Sequence, residues 1–245
     1  MSSTITILGD GALGAAIAAR LRERGDVVAI RGRPATGRHE LATLAGSDVV
    51  IDASRAEAVA SNLTVALAAG VRSFVVATTG WGDDRDRIAA AVARAGASVV
   101  VAPNLALGAA IFLRLVDEAA ALAAALGGFE PSVVEWHRRT KADRPSGTAR
   151  EIVGRLAAHL PIELDEVAVV RSGSMPGMHA VAFDGPSETI ELRLTARDRS
   201  GYAAGALAAI DWLLAAPRPA GLLPFDRVVD DRIAAAAMSR VQPAA

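Results

Sequence analysis

The chain has 245 residues, and its 26 Lys+Arg against 27 Asp+Glu leave a formal net charge of −1. So even a balance offers no excess cation to neutralise a nucleic-acid backbone or an anionic membrane surface, and the expected partner is a small molecule. Hydrophobic residues make up 52% of the chain, aromatics only 4%, and there is no cysteine, which excludes disulfides, thiolate metal sites and cysteine nucleophiles and fits a cytoplasmic setting. Apolar character carried by Ala, Val, Leu and Ile suits helices packed on a buried sheet, so the composition favours an α/β fold.

In chain order, the opening MSSTITILGDGALGAAIAARL lacks a basic start and is interrupted by glycines, so it is read as part of the fold and not as a signal peptide. Thr4 to Leu8 is a short β-rich run, Gly9-Asp10-Gly11-Ala12-Leu13-Gly14 follows at once, and 12–24 reads as a helix. Strand, glycine turn and helix in that order let the backbone approach a pyrophosphate whose charge sits at the helix N-terminus. Asp26 to Ile30 is a plausible second strand. No acid waits at its end for ribose hydroxyls, and Arg31 or Arg33 can hold a 2′-phosphate instead, which points to NADPH with NADH as the alternative.

Further strands are expected at 48–52, 73–76 and 98–101, with an Ala-rich helix at 57–69 between the first two. Their ends carry Ala53-Ser54, Ala77-Thr78-Thr79 and Ala102-Pro103-Asn104, small or hydroxyl residues where ligands sit in open parallel sheets. A long helix from Gly108 to Leu126 carries Arg114, Asp117 and Glu118 and is therefore not a membrane span. Pro131 to Trp136 reads as a strand delivering His137 and Lys141 at or just past its end. Ser146-Gly147-Thr148 then opens a helix over 149–160. A Ser-Gly-Thr helix start offers backbone N–H groups, a hydroxyl cap and the positive end of a dipole, a seat for a carboxylate or phosphate. Lys141 adds a compact positive charge and His137 a group that titrates near neutrality.

His179 lies in an apparent strand, 178–183, either lining a cavity or buried as a structural residue, and Trp81 either covers a cofactor or belongs to the core. No metal site is expected, because His39, His137, His159 and His179 are scattered and no H-x-x-x-H exists. A serine hydrolase elbow is absent as well. The expected architecture is a Rossmann-like parallel-sheet domain over 1–105, rejoined by about 201–245, with an α+β domain carrying a mixed sheet over 106–200. The helix 201–215 forms the return path.

Residues 135–149, EWHRRTKADRPSGTA, resemble the E-x-H-H-x-x-K-x-D-x-P-S-G-T-A signature of the 4-hydroxy-tetrahydrodipicolinate (dihydrodipicolinate) reductases. Ile51-Asp-Ala-Ser54, Ala77-Thr-Thr-Gly80, Ala102-Pro-Asn-Leu105, Arg171-Ser-Gly173 and Gly177-Met-His179 follow in the family's order. The resemblance implies NAD(P)H-dependent reduction of a cyclic imine dicarboxylate in lysine and diaminopimelate biosynthesis, by a homotetramer or homodimer. It makes His137 the acid that protonates the reduced ring, Lys141 its assistant, and Ser146, Gly147 and Thr148 the carboxylate seat. It maps the cofactor onto Gly9, Gly11, Gly14, Ser54, Thr78, Thr79 and Asn104; their segments add Asp10, Ala12, Leu13, Ala53, Ala77, Ala102 and Leu105 as candidates, beside Arg31 from the second strand's end. The family's second histidine is Arg138 here, able to grip a carboxylate as a fork, and its usual aromatics are Ala53 and Leu105. A paralogous imine or enamine-acid reductase, or a nucleotide-binding sensor without catalysis, remains the alternative.

Overall fold

The computed structural model describes residues 2–102 and 104–241, the last three by backbone alone; Pro103 of the Ala-Pro-Asn segment and residues 242–245 lie outside the described residues. The chain divides into two compact units, one formed by the chain up to Ala106 together with that from Tyr202 onward, the other by Leu107–Gly201.

The first unit alternates strand and helix: β1 (Thr4–Leu8), α1 (Ala12–Glu23), β2 (Val27–Arg31), β3 (Val49–Asp52), α2 (Ala56–Ala68), β4 (Ser73–Val76), α3 (Arg85–Arg94) and β5 (Ser98–Val101). Six parallel strands form one sheet, in the order β10-β5-β4-β3-β1-β2 with β10 at Gly221–Pro224. β3 and β5 are buried at every position, the continuous apolar reading of strands covered on both faces. From β1 the chain crosses to β2 on one side and then to β3 on the other, so the strand order reverses beside β1. That switch point is where open α/β sheets bind ligands. β10 ends in Pro224 and is tolerated because it is an edge strand.

In the second unit, α4 (Leu107–Leu126) leads to β6 (Glu130–His137), α5 (Gly147–Leu156), β7 (Ala168–Arg171), β8 (Gly177–Asp184) and β9 (Thr189–Ala196). Its sheet runs β7-β6-β8-β9, with β6 parallel to β7 and antiparallel to β8. Phe112, Leu113 and Val116 of α4, Ile152 and Leu156 of α5, and Val133, Val181 and Phe183 of the sheet form its core. Helix α5 spans Gly147–Leu156 and not 149–160, because Ser146 is its N-cap and beyond the C-cap, Ala157, the chain continues in turns. Helices α6 (Ser200–Ala215) and α7 (Phe225–Val241) complete the chain. Gly205 of α6 comes so close to the backbone of Leu105 that a Cβ there would lie 1.6 Å from its carbonyl oxygen.

Candidate active site

Two groups of residues stand out, one in each unit. In the first, the turn after β1 is shaped by space. Gly9 adopts φ +118°, and a Cβ on it would lie 2.3 Å from the Ala53 carbonyl; one on Gly14 would lie 2.1 Å from the Gly9 carbonyl. Gly11, the N-cap of α1, has nothing within 4 Å of where its Cβ would be and no side-chain cap. The backbone is thus packed tight on the protein side and open on the other, which fits a pyrophosphate approaching the first N–H groups of α1. Ala12 and Leu13 begin that helix. The Asp10 carboxylate rests against Gly32, just past Arg31, the exposed last residue of β2.

The strand ends behind this turn are organised by an acid outside the candidate set. Asp52 is 2% exposed, and its Oδ1 accepts from Ser54 N (3.0 Å), Ser54 Oγ (2.8 Å) and Thr78 Oγ1 (2.6 Å), while Oδ2 accepts from Asn62 Nδ2 (2.8 Å). Buried polar groups need such partners, and here the Thr78 hydroxyl ties the end of β4 to β3, Asn62 ties in α2, and Ser54 closes a local turn. Thr79 is exposed, and Ala53, Ala77, Ala102 and Asn104 are half-buried. Leu105 is buried at 3%, so its side chain belongs to the core and only its backbone can face a ligand. Trp81 is also core: it is buried and donates from Nε1 to the Thr78 carbonyl at 2.9 Å.

In the second unit, β6 places Glu135 and His137 two residues apart, hence on one face, which is also the face of Val133 and the core. Register sets Glu135 opposite His179 of β8, and His137 opposite Arg171 of β7. Where α5 begins, the apolar core gives way to this polar cluster. Glu135 is fully buried. It accepts from Arg171 Nη2 at 2.6 Å and from the Ser146 backbone N–H at 3.0 and 3.2 Å. Burial opposes its ionisation, but hydrogen bonds from His179, Ser146 and Arg171 prevail and hold its carboxyl far below the usual carboxylate range.

Ser146 caps α5, accepting from Ala149 N at 3.2 Å, and its Oγ lies 3.1 Å from His179 Nε2. The rings of His137 and His179 meet edge to face at 5.1 Å. Burial first, then His179, drives the His137 imidazole from 6.5 down to about 4, against the pull of Glu135. Lys141 Nζ pairs with Asp143 at 2.7 Å, while exposed Arg138 donates to Thr140 Oγ1 at 3.1 Å. Gly147 opens α5 on the exposed side of this cluster, and Thr148 follows it half-buried.

The structure therefore brings His137, Lys141, Ser146, Gly147 and Thr148 into one region of the second unit, and it adds Glu135, Arg171 and His179. Of the scattered histidines, two are neighbours. Glu135, His137 and His179 present ligand atoms within 4.8 Å of one another, a grouping that chain numbering conceals. Such a cluster can hold an anion at the helix N-terminus and exchange a proton beside it.

Comparison with known proteins gives the cluster its context. Residues 12–105 match the family described as "Dihydrodipicolinate reductase, N-terminus" and residues 108–229 its "C-terminus" counterpart. Relatives named 4-hydroxy-tetrahydrodipicolinate reductase include one from Archaeoglobus fulgidus, 36% identical over 192 residues (71% of this chain, 72% of that one), and one from Cupriavidus pinatubonensis, 34% identical over 207 residues (77% and 76%). Among solved structures, a dihydrodipicolinate reductase from a Paenisporosarcina species with dipicolinate bound superposes with a TM-score of 0.70 at 19% identity, covering 91% of this chain and 98% of that one. An engineered D-amino acid dehydrogenase bound to NADP+ gives 0.53 at 15% identity, covering 96% and 99%. By sequence along both of its units, the chain belongs to the dihydrodipicolinate reductase family.

Proposed function

We propose that the protein reduces 4-hydroxy-tetrahydrodipicolinate to tetrahydrodipicolinate in lysine and diaminopimelate biosynthesis, consuming NADPH and a proton and releasing water. The observation that carries this reading is the cluster of His137, Lys141 and the Ser146-Gly147-Thr148 helix start in a chain of this family. A reduced nicotinamide, when bound, supplies the hydride. Every other requirement falls to side chains and backbone of the chain. The α5 N-terminus, Ser146 to Thr148, receives a substrate carboxylate, exposed Arg138 offers a fork to the second, and Lys141 assists His137. His137 gives its proton to the ring position that does not take the hydride.

The glycine turn, with its open Gly11 backbone, seats the pyrophosphate, and Asp10, Ala12, Leu13, Ala53, Ser54, Ala77, Thr78, Thr79, Ala102, Asn104 and the Leu105 backbone line the rest of the cofactor's course. Arg31 favours the 2′-phosphate of NADPH. Asp10, resting against Gly32 at the same strand end, accepts ribose hydroxyls and lets NADH serve as the second choice. A cytoplasmic homotetramer or homodimer is the form we infer, supported by the cysteine-free composition and by Ile111, Leu115 and Leu122, exposed along one face of α4. Among the described residues no helix is long and apolar enough to cross a membrane.

The test is oxidation of NADPH, and of NADH in parallel, with substrate generated in place by dihydrodipicolinate synthase from pyruvate and aspartate semialdehyde. Turnover that vanishes without the synthase is expected, and His137→Gln should lower kcat by about 10²–10⁴-fold with the NADPH KM nearly unchanged. No turnover with intact NADPH binding would move the substrate to another imine acid or leave a sensor.

A further inference from the structure

His137 has two ring nitrogens, and its use as a proton donor depends on which of them faces the substrate. Nδ1 is buried, makes no hydrogen bond, and faces Glu135 Oε2 at 3.6 Å. Nε2 lies on the side of Gly177, where a Cβ would stand 3.1 Å away, so the missing side chain is what leaves this edge of the ring uncovered. A lone pair on Nδ1 turned towards a buried carboxylate would set two electron-rich atoms against each other in a poorly screening interior; a proton there converts repulsion into attraction. Glu135 cannot swing away, because Arg171 Nη2 and the Ser146 N–H hold it. On its other flank His179 Nε2 lies 3.6 Å from the same Oε2.

We propose that Glu135 is the positioning residue of this site: set between His137 Nδ1 and His179 Nε2, it fixes His137 as the Nδ1–H tautomer, with Nε2 left for the substrate. The inference rests on the reading of His137 as the proton donor. The charged and titratable groups facing His137 are Glu135 on its own strand, Arg171 on β7, His179 on β8 and Lys141 in the following turn. With one anion among them, the imidazolium is disfavoured until a dicarboxylate substrate arrives and brings the proton with it. Glu135 then stabilises the imidazolium from the Nδ1 side. As hydride adds to one end of the conjugated system, the electron pair displaced to the other end takes the Nε2 proton, and His137 returns neutral to its starting tautomer. A divalent cation on Glu135, His137 and His179 is a poorer occupant. The Arg171 guanidinium already neutralises the carboxylate, and the Ser146 hydroxyl already engages His179.

The decisive measurement is ¹⁵N NMR of the full chain with labelled histidine at pH 7.5, with His137 assigned by comparison with His137→Gln. The Nδ1–H tautomer is expected; an Nε2–H His137 overturns the proposal. In parallel, Glu135→Gln should lower kcat on the order of 10²-fold at an unchanged NADPH KM and displace the kcat pH profile. A folded Glu135→Gln enzyme with the parental kcat and profile overturns it too. Removing the anion beside buried Arg171 can prevent folding, and in that case the parental spectrum still decides. His179→Gln, which keeps an N–H where Nε2 lies, should retain most of the kcat that His179→Leu loses. A fully active His137→Gln enzyme would instead remove the donor reading itself, whatever tautomer the spectrum shows.

Discussion

A single imidazole shows how burial and charge divide the work of the site. His137 is held down to about 4 by burial and by His179, so in the free protein at pH 7 it is neutral and not yet an acid. The ratio kcat/KM reports the free enzyme and kcat the complex, whose substrate carboxylates raise the imidazole again. The expected result is a kcat/KM for the imine that declines from pH 5 to 7 while kcat stays level over the same range, measured at saturating NADPH. Parallel declines would mean that bound substrate leaves His137 untouched. His137, Lys141 and Ser146 are legible in the sequence because they crowd into one short, ordered motif. Glu135 opens the same motif, with its burial hidden from a linear reading, whereas Arg171 and His179 meet it only through strand register and cross-strand pairing.

The turn between β1 and α1 separates two uses of glycine. A Cβ at Gly14 would collide with the Gly9 carbonyl, whereas one at Gly11 meets nothing of the protein. Gly14→Ala should therefore lower Tm, and Gly11→Ala should leave Tm unchanged while weakening NADPH binding, read by thermal unfolding and by cofactor titration. Equal effects of the two substitutions on Tm would show that the open side of the turn is occupied by protein. The strands that carry this turn announce themselves as uninterrupted apolar runs such as VVID and SVVV. Elements that escaped include β10, which ends in proline, and α3, which buries only Ile88 and Val92. β9 alternates Ile190, Leu192 and Leu194 with Thr189, Glu191 and Arg193, a readable period-2 pattern, and Leu192 and Leu194 pack against the core. Asp52 reads as the polar end of a strand, and its bracing of β3 and β4 appears only once Asn62 and Thr78 are brought beside it.

For the whole molecule, the buried cluster couples folding to pH in two adjacent windows. The His137 pKa lies near 6.5 in the unfolded chain and near 4 in the fold, so between these values the unfolded state binds more protons and stability rises with pH, reaching its full value above 6.5. Glu135 acts in the same direction lower down: its folded pKa is depressed below the ordinary 4.5, so the stability it contributes is present above that value and drains away as pH falls below it. His39, also lowered by burial, contributes in the same direction. Each pH unit between the two His137 values corresponds to ~1.4 kcal/mol at most, and each kcal/mol to about 2–4 °C in a chain of this size. Thermal unfolding should therefore show Tm dropping by several degrees from pH 7 to pH 5, with a smaller drop in His137→Gln. Below pH 4.5 both proteins should lose stability together, since Glu135 titrates in each. If His137→Gln falls as steeply as the parent between pH 7 and 5, the protons taken up on unfolding there belong to His39 or another group, and His137 is not buried as a neutral ring.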